Sequence, residues 1–461
     1  MTVDAETTTG ETERLCRFVA DTTYADLPDD VVDHATRMVL DSLGVTLAGT
    51  ETEAATIARA AKTGVGVDAG PARVPGTALS GTPRDVALAT GVAAHALDFD
   101  DVHHRMGGHP STPVLSALLP VAEAASASGA DLLTAFVLGV ETETTLADVL
   151  NPGHYERGWH PTAVLGSVGA AVAVGKLHGL DARRLRWAVG IAASEAGGIK
   201  ANFGTMTKPL HVGNAARTGV EAAALAAEGF TASETSLEAT FGGFCDLFEG
   251  DPGHDFADHL DQLGSPWGLL DPPVGFKPYP CCGSAHGAID AAIAVRDRHE
   301  FDVADVDRVT VEAHPRRLDH TNDPAPETPL DAKFSTQYCV AVALLHGDVW
   351  LDHFEEAAVG RPATRSLLDL VDVTANREAF EGREWGARVT VVAGDERHAA
   401  EVDAPTGGAE NPLTGDELEE KYRRCVADTL DDERARQSLA TLADLADVPD
   451  VSSVLDRLTV A

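Results

Sequence analysis

The sequence predicts a mainly α protein with a smaller α+β domain. Apolar residues recur at helical spacing through the first 265 positions, and no stretch before residue 300 alternates with period two. Strand-like runs then appear at 308–313, 387–392 and 398–402. At 461 residues the chain is too long for one ordinary core. The composition shift places a large all-helical domain at 1–268, a small α+β domain at 269–405, and C-terminal helices at 406–461 that pack back on the first.

The first strong helix spans 31–47, where Val31, Val32, Ala35, Met38, Val39 and Leu43 share a face behind Pro28 and Asp29. Helices of the same Ala- and Gly-rich style are predicted at 84–97, 114–126, 132–143, 163–177, 185–193 and 208–227. A Pro- and Gly-containing junction at 269–275 precedes a helix at 285–298, the first strand, and a helix at 333–345. The last two strands read as a hairpin turning at Gly394, Asp395 and Glu396, and a helix at 416–430 opens the tail.

Composition excludes several functions. Asp and Glu total 73 against 35 cations, a formal charge of -38. Without a basic face for phosphate contacts, nucleic-acid binding is not expected. Acidic residues spread along the whole chain suit a halophilic surface, where salt screens self-repulsion. Of the 35 cations only 7 are Lys. Six cysteines in so long a chain form no disulfide framework, and Cys281–Cys282 lacks a CxxC partner for zinc or iron–sulfur. The polar N-terminus has no secretory pattern, and no apolar run reaches the roughly 18 residues of a membrane span. A cytoplasmic protein without membrane partners is expected.

Five segments concentrate polar chemistry. The first runs from His95 through Asp98, Asp100, Asp101, His103 and His104 to His109, where a helix ends in carboxylates and a new one follows. That new N-terminus favours an anion. A divalent metal held by these Asp and His residues is one rival; helix-capping carboxylates with surface histidines are another. The second places His160 before Pro161 at a helix start. In the third, Lys208 opens a helix that otherwise reads as buried, where an ammonium is costly unless paired. The plain alternative is a solvated helix end. The fourth, 276–286, carries Lys277, Tyr279, Cys281, Cys282 and His286 at the junction; the fifth carries Lys333 and Tyr338. Cations bind carboxylates, and a His or carboxylate can move the proton beside one. Elimination from a carboxylic acid is the chemistry this suggests.

These segments resemble the MmgE/PrpD family, through VLDSLGVTLAG, HALDFDD, HPS, GWHPT, GTMTKPLHVGNAA, KPYPCC, the following Ala285-His286, FS.QY and NPLT.DEL..K. The resemblance covers nearly the whole chain. It implies a two-domain fold, with a large helical domain, an α+β lid and a cleft between them, usually as a homodimer. It also implies no metal and no organic cofactor. The family's catalytic positions fall on Asp98, His109, His160, Lys208 and Tyr338, with Lys277, His104 and His286 binding substrate. His109 or His160 would move the proton, while Lys208 and Lys277 would hold carboxylates. The expected activity is a metal-independent hydro-lyase reaction on a small polycarboxylate such as 2-methylcitrate, a step of propionate catabolism. A cis-aconitate-type decarboxylase and an epimerase of an imino or amino dicarboxylate are the alternatives. Three departures from the decarboxylase branch stand out: Val102 replaces a Thr, the 101–109 segment is one residue longer, and Cys282 replaces a His, with His286 one turn on as the candidate substitute.

Overall fold

The computed structural model describes residues 10–62, 64–249 and 256–459. The chain divides into two units. The larger comprises the described residues up to Ala96, Asp100–Val274 and the chain from Gly415; the smaller comprises Leu97–Phe99 and Gly275–Thr414. The boundaries thus fall after Val274 and Thr414 rather than after residues 268 and 405. Three residues from the middle of the helical region also belong to the smaller unit. Their anchors explain it: Lys333 Nζ donates to the Leu97 carbonyl at 2.9 Å, and Lys277 pairs with Asp98. The Phe99 ring meets Trp350 edge-on at 5.2 Å.

In the large unit, long helices begin where their caps dictate. The Thr82 hydroxyl accepts from the Asp85 N–H and Pro83 takes the first position of Pro83–His95; Ser128 and Asp131 form a capping box for Gly129–Leu150. Helix Pro161–Leu177 is buried on every face as far as Gly175, as its unbroken apolar run requires. Small residues let these helices approach closely. A β-carbon on Gly91 would lie 2.8 Å from the Gly213 α-carbon, and one on Gly213 would lie 2.6 Å from the Leu88 carbonyl oxygen. This crossing of Pro83–His95 with Thr207–Ala227 brings His95 and His211, each within about a turn of its glycine, into one neighbourhood. The unit is not wholly helical: β1 (Ala72–Arg73) pairs antiparallel with β2 (Ser80–Gly81), too short a ladder to show as alternation.

The small unit has a four-stranded sheet. It is formed by β3 (Val306–Ala313), β4 (Val371–Ala375), β5 (Ala387–Ala393) and β6 (Glu396–Val402), in the order β4-β3-β5-β6. β4 runs parallel to β3, with Val309 opposite Val371, and the other pairings are antiparallel. β4 was not expected, because it is a short edge strand with mostly exposed or half-buried residues. The β5–β6 hairpin turns at Gly394, whose φ of 58° suits glycine. Helices His286–Arg298 and Thr336–His346 contribute most of the helical side of this core. The helix expected at 333–345 is two helices, Pro329–Lys333 and Thr336–His346. Ser335 breaks it, its hydroxyl accepting from the Tyr338 N–H at 3.0 Å as the cap of the second. Among the described residues no helix is long and apolar enough to cross a membrane.

Candidate functional site

The large unit gathers four histidines. His95 ends Pro83–His95, and its Nδ1 bonds Asp100 Oδ2 at 2.7 Å, where the Thr112 hydroxyl also donates at 3.0 Å. The His109 ring lies edge-on to His95 at 4.7 Å, and His160 stacks on the other side at 5.7 Å. His160 caps Pro161–Leu177, and its Nδ1 lies 3.2 Å from His211 Nδ1, so one of the two rings donates to the other. Gly198, at φ 145°, accepts the His160 N–H; a β-carbon there would crowd Ala163 at 2.9 Å and the His211 ring at 3.3 Å. Phe203 links this group to Lys208, meeting the His160 ring at 5.0 Å and lying 5.1 Å from Lys208 Nζ.

His109 is held so that one ring nitrogen is committed. Its Nδ1 donates to the Asp101 carbonyl at 2.7 Å and lies 3.4 Å from Asp100 Oδ1. Its backbone N–H donates to the Thr162 hydroxyl at 3.1 Å, across a gap that Gly108 keeps clear. Proton transfer at this ring is therefore assigned to Nε2. The carboxyl of Asp101, accepting from the Ser111 hydroxyl, is pushed well above the usual range by burial, opposed by Ser111 and reinforced by the charges of Asp41 and Asp100. Burial, with the surrounding cations, depresses His160 well below the ordinary imidazole range and brings His211 to about 4. Both are therefore neutral at pH 7 and resist protonation.

The small unit holds its own charged group. Lys277 Nζ bonds the Asp98 carboxylate at 2.9 Å and the Asp98 carbonyl at 2.8 Å, with both side chains buried. Asp98 occupies the left-handed region at φ 53°, a strained setting for a residue other than glycine. Lys333 donates to the carbonyls of Leu97 and Pro280, and burial, only partly offset by neighbouring charges, lowers it to about 8.

The structure thus brings His109, His160 and Lys208 into one unit, and Asp98 and Lys277 into the other. It gives three expected residues other surroundings. Tyr338 is buried in the small unit's core, its hydroxyl donating to the His353 carbonyl. His286 bonds the Cys281 carbonyl at 3.3 Å and packs edge-on against Tyr279. His104 is half-buried in the loop closed by His103 and Gly108. Sequence reasoning did not select His95, Asp100, His211 or Lys333 as site residues. One signal was available: His95 and Asp100 flank Asp98. Among the described residues four lysines (Lys208, Lys277, Lys333 and Lys421) are buried.

The metal arrangement weighed for this segment is corrected. Asp98 bonds Lys277, Asp101 takes Ser111, and His103 Nδ1 accepts from the Met106 N–H at 3.0 Å. Among the described residues, the three that could hold an ion are His95, Asp100 and His109, with ligand atoms within 4.8 Å of one another. Their 2.7 Å contact is a hydrogen bond, whereas ligand atoms around a tetrahedral ion stand about 3.3 Å apart. The donor set fits a hydrogen-bonded dyad better than a metal.

The neutral histidines carry a pH prediction. His211 is depressed in the folded chain, so the unfolded chain binds more protons between pH 6.5 and 4. Its contribution to stability is present above pH 6.5 and lost as pH falls through that window. In His211→Asn the slope of Tm against pH over this range should be shallower than in wild type; an equal slope would contradict the assignment.

The MmgE/PrpD N-terminal domain matches residues 13–257, and the MmgE/PrpD C-terminal domain matches 279–446. The chain is 33% identical to the human cis-aconitate decarboxylase, over 86% of this chain and 84% of that protein. It is 30% identical to the cis-aconitate decarboxylase-like protein oryM of Aspergillus oryzae, over 95% of each. It is 26% identical to the cis-aconitate decarboxylase of Aspergillus terreus, over 94% and 93%.

Proposed function

Because the chain belongs to the MmgE/PrpD family, we propose that it is a lyase that decarboxylates a small unsaturated tricarboxylate of the cis-aconitate type. The observation that carries this reading is similarity along almost the full chain to cis-aconitate decarboxylases. It favours the decarboxylase alternative over dehydration of 2-methylcitrate.

Breaking the carbon–carbon bond leaves its electron pair on the substrate, and a proton must then reach carbon. His109 suits that transfer, because its Nδ1 is fixed by the Asp101 carbonyl and Asp100 stands beside it to favour the charged ring. Lys208, in the histidine group of the large unit, would offset the charge developing on a carboxylate. Lys277, already bonded to one carboxylate, has the chemistry to hold another. His160, held neutral by burial and bonded to His211, would serve as a neutral hydrogen-bonding group rather than as the base.

The test is a substrate panel in high-salt buffer with chelator-treated protein and mass detection of products. Carbon dioxide released from cis-aconitate is the expected result. Loss of water from 2-methylcitrate or another hydroxy acid would replace this reading with the hydro-lyase one. Activity abolished by the chelator and restored by a metal would overturn the metal-independent proposal.

A further inference from the structure

The small unit contains a second group of reactive side chains that the proposed reaction does not use. All six cysteines are free thiols, and five of them (Cys16, Cys245, Cys281, Cys339 and Cys425) are buried. Cys282 is half-buried, and it does not stand alone. Its Sγ lies 3.5 Å from His320 Nε2, and the Ser284 hydroxyl approaches the same nitrogen at 3.4 Å. Its position is fixed by the backbone: the Cys282 N–H donates to the Lys333 carbonyl at 3.0 Å, and its own carbonyl accepts from Ala285 at 2.9 Å. The neighbouring residue sits against a cation, since a β-carbon on Gly283 would lie 4.0 Å from Lys277 Cε.

We propose that Cys282 and His320 form a thiolate–imidazolium couple, a modification site that takes soft carbon or sulfur electrophiles at neutral pH. The imidazole accepts the thiol proton, and the thiolate is the nucleophile. With an alkyl halide the sulfur–carbon bond forms as the carbon–halogen bond breaks. Halide leaves, and the proton stays on His320 until water removes it.

The electrostatics agree with the geometry. Burial alone would push the thiol up, but the charge and hydrogen bond of His320 outweigh it. Asp98 acts against ionisation and Lys277 for it, and the net result is a thiol near pKa 7. Three of the other thiols differ. Burial drives Cys16 and Cys281 far up, and takes Cys425 to about 12. Cys282, the one cysteine of the six that is not buried, should therefore react first.

The experiment is alkylation of the full-length folded protein by limiting iodoacetamide from pH 5.5 to 9.5, with peptide mass mapping. Labelling should fall on Cys282, with a rate midpoint near pH 7. His320→Gln should slow labelling at pH 7 by at least about tenfold, because without the imidazole burial holds the thiol at or above its ordinary value near 8.5. In Cys282→Ser the early label should vanish, which reads the site without touching the histidine. A wild-type midpoint at 8.5 or above overturns the proposal whether or not either variant folds. So does preferential labelling of another cysteine, or a His320→Gln profile that matches wild type.

Discussion

His109→Ala is expected to lower kcat by about a hundred- to ten-thousand-fold while leaving the Tm within a few degrees of wild type. The magnitude is that of a positioned proton-transfer group. The argument rests on how thoroughly one end of the ring is fixed. Nδ1 donates to a backbone carbonyl, the adjacent amide is tied to Thr162, and Asp100 faces the same edge. A backbone acceptor cannot titrate, so Nε2 keeps its role across the working pH range. Asp100 is itself held by His95 and Thr112, so it is a positioning residue. Asp100→Asn should cost less than His109→Ala, and should shift the acidic limb of the kcat profile rather than abolish turnover. Single-turnover assays with whichever acid the panel identifies would separate the two effects. A His109→Ala enzyme within threefold of wild type would remove His109 from the reaction.

Much of this arrangement was legible in the residues, for identifiable reasons. Helical periodicity and caps located the large unit's helices because their apolar faces are long and their first turns carry explicit signals, such as Thr82-Pro83 and Ser128 with Asp131. Motifs flanking prolines marked His109 and His160, since both precede a helix start. The side-chain partners were not legible. Nothing local shows that Asp98 turns to Lys277, 179 residues later, while Asp100 stays with His95. Nor does spacing reveal that a glycine pair at Gly91 and Gly213 brings His211 into the neighbourhood of His95. Edge strand β4 escaped because its outward residues are polar and its partner lies about 60 positions earlier. Tyr338, which the family resemblance set among the catalytic positions, has its hydroxyl on the buried His353 carbonyl, another contact that spacing does not show.

Lys421→Met should destabilise the large unit by about 3–5 kcal/mol, the usual cost of leaving a buried charge without its partner. Lys421 Nζ lies 2.6 Å from Asp41 Oδ1, with side chains 5% and 0% exposed. The pair joins helix Gly415–Val426 of the tail to helix Asp29–Gly49 of the first region. Because net stability is typically only 5–15 kcal/mol, this loss should appear as a large drop in the denaturant midpoint of the large unit's transition. The double variant Asp41→Leu/Lys421→Met should recover most of it, since replacing both members removes the stranded carboxylate. Failure to recover would mean that Asp41 has a further buried task. The site gives a reason to look for one. Asp41's charge adds to burial in raising the Asp101 carboxyl, and the Asp101 carbonyl fixes His109. An Asp41 relieved of Lys421 would press harder on Asp101, so the single variant should lose turnover beyond its loss of folded protein, and the double variant should regain it. A lysine that closes the last motif of the chain thus pairs with Asp41, whose charge acts on Asp101, the residue whose backbone carbonyl holds the early histidine.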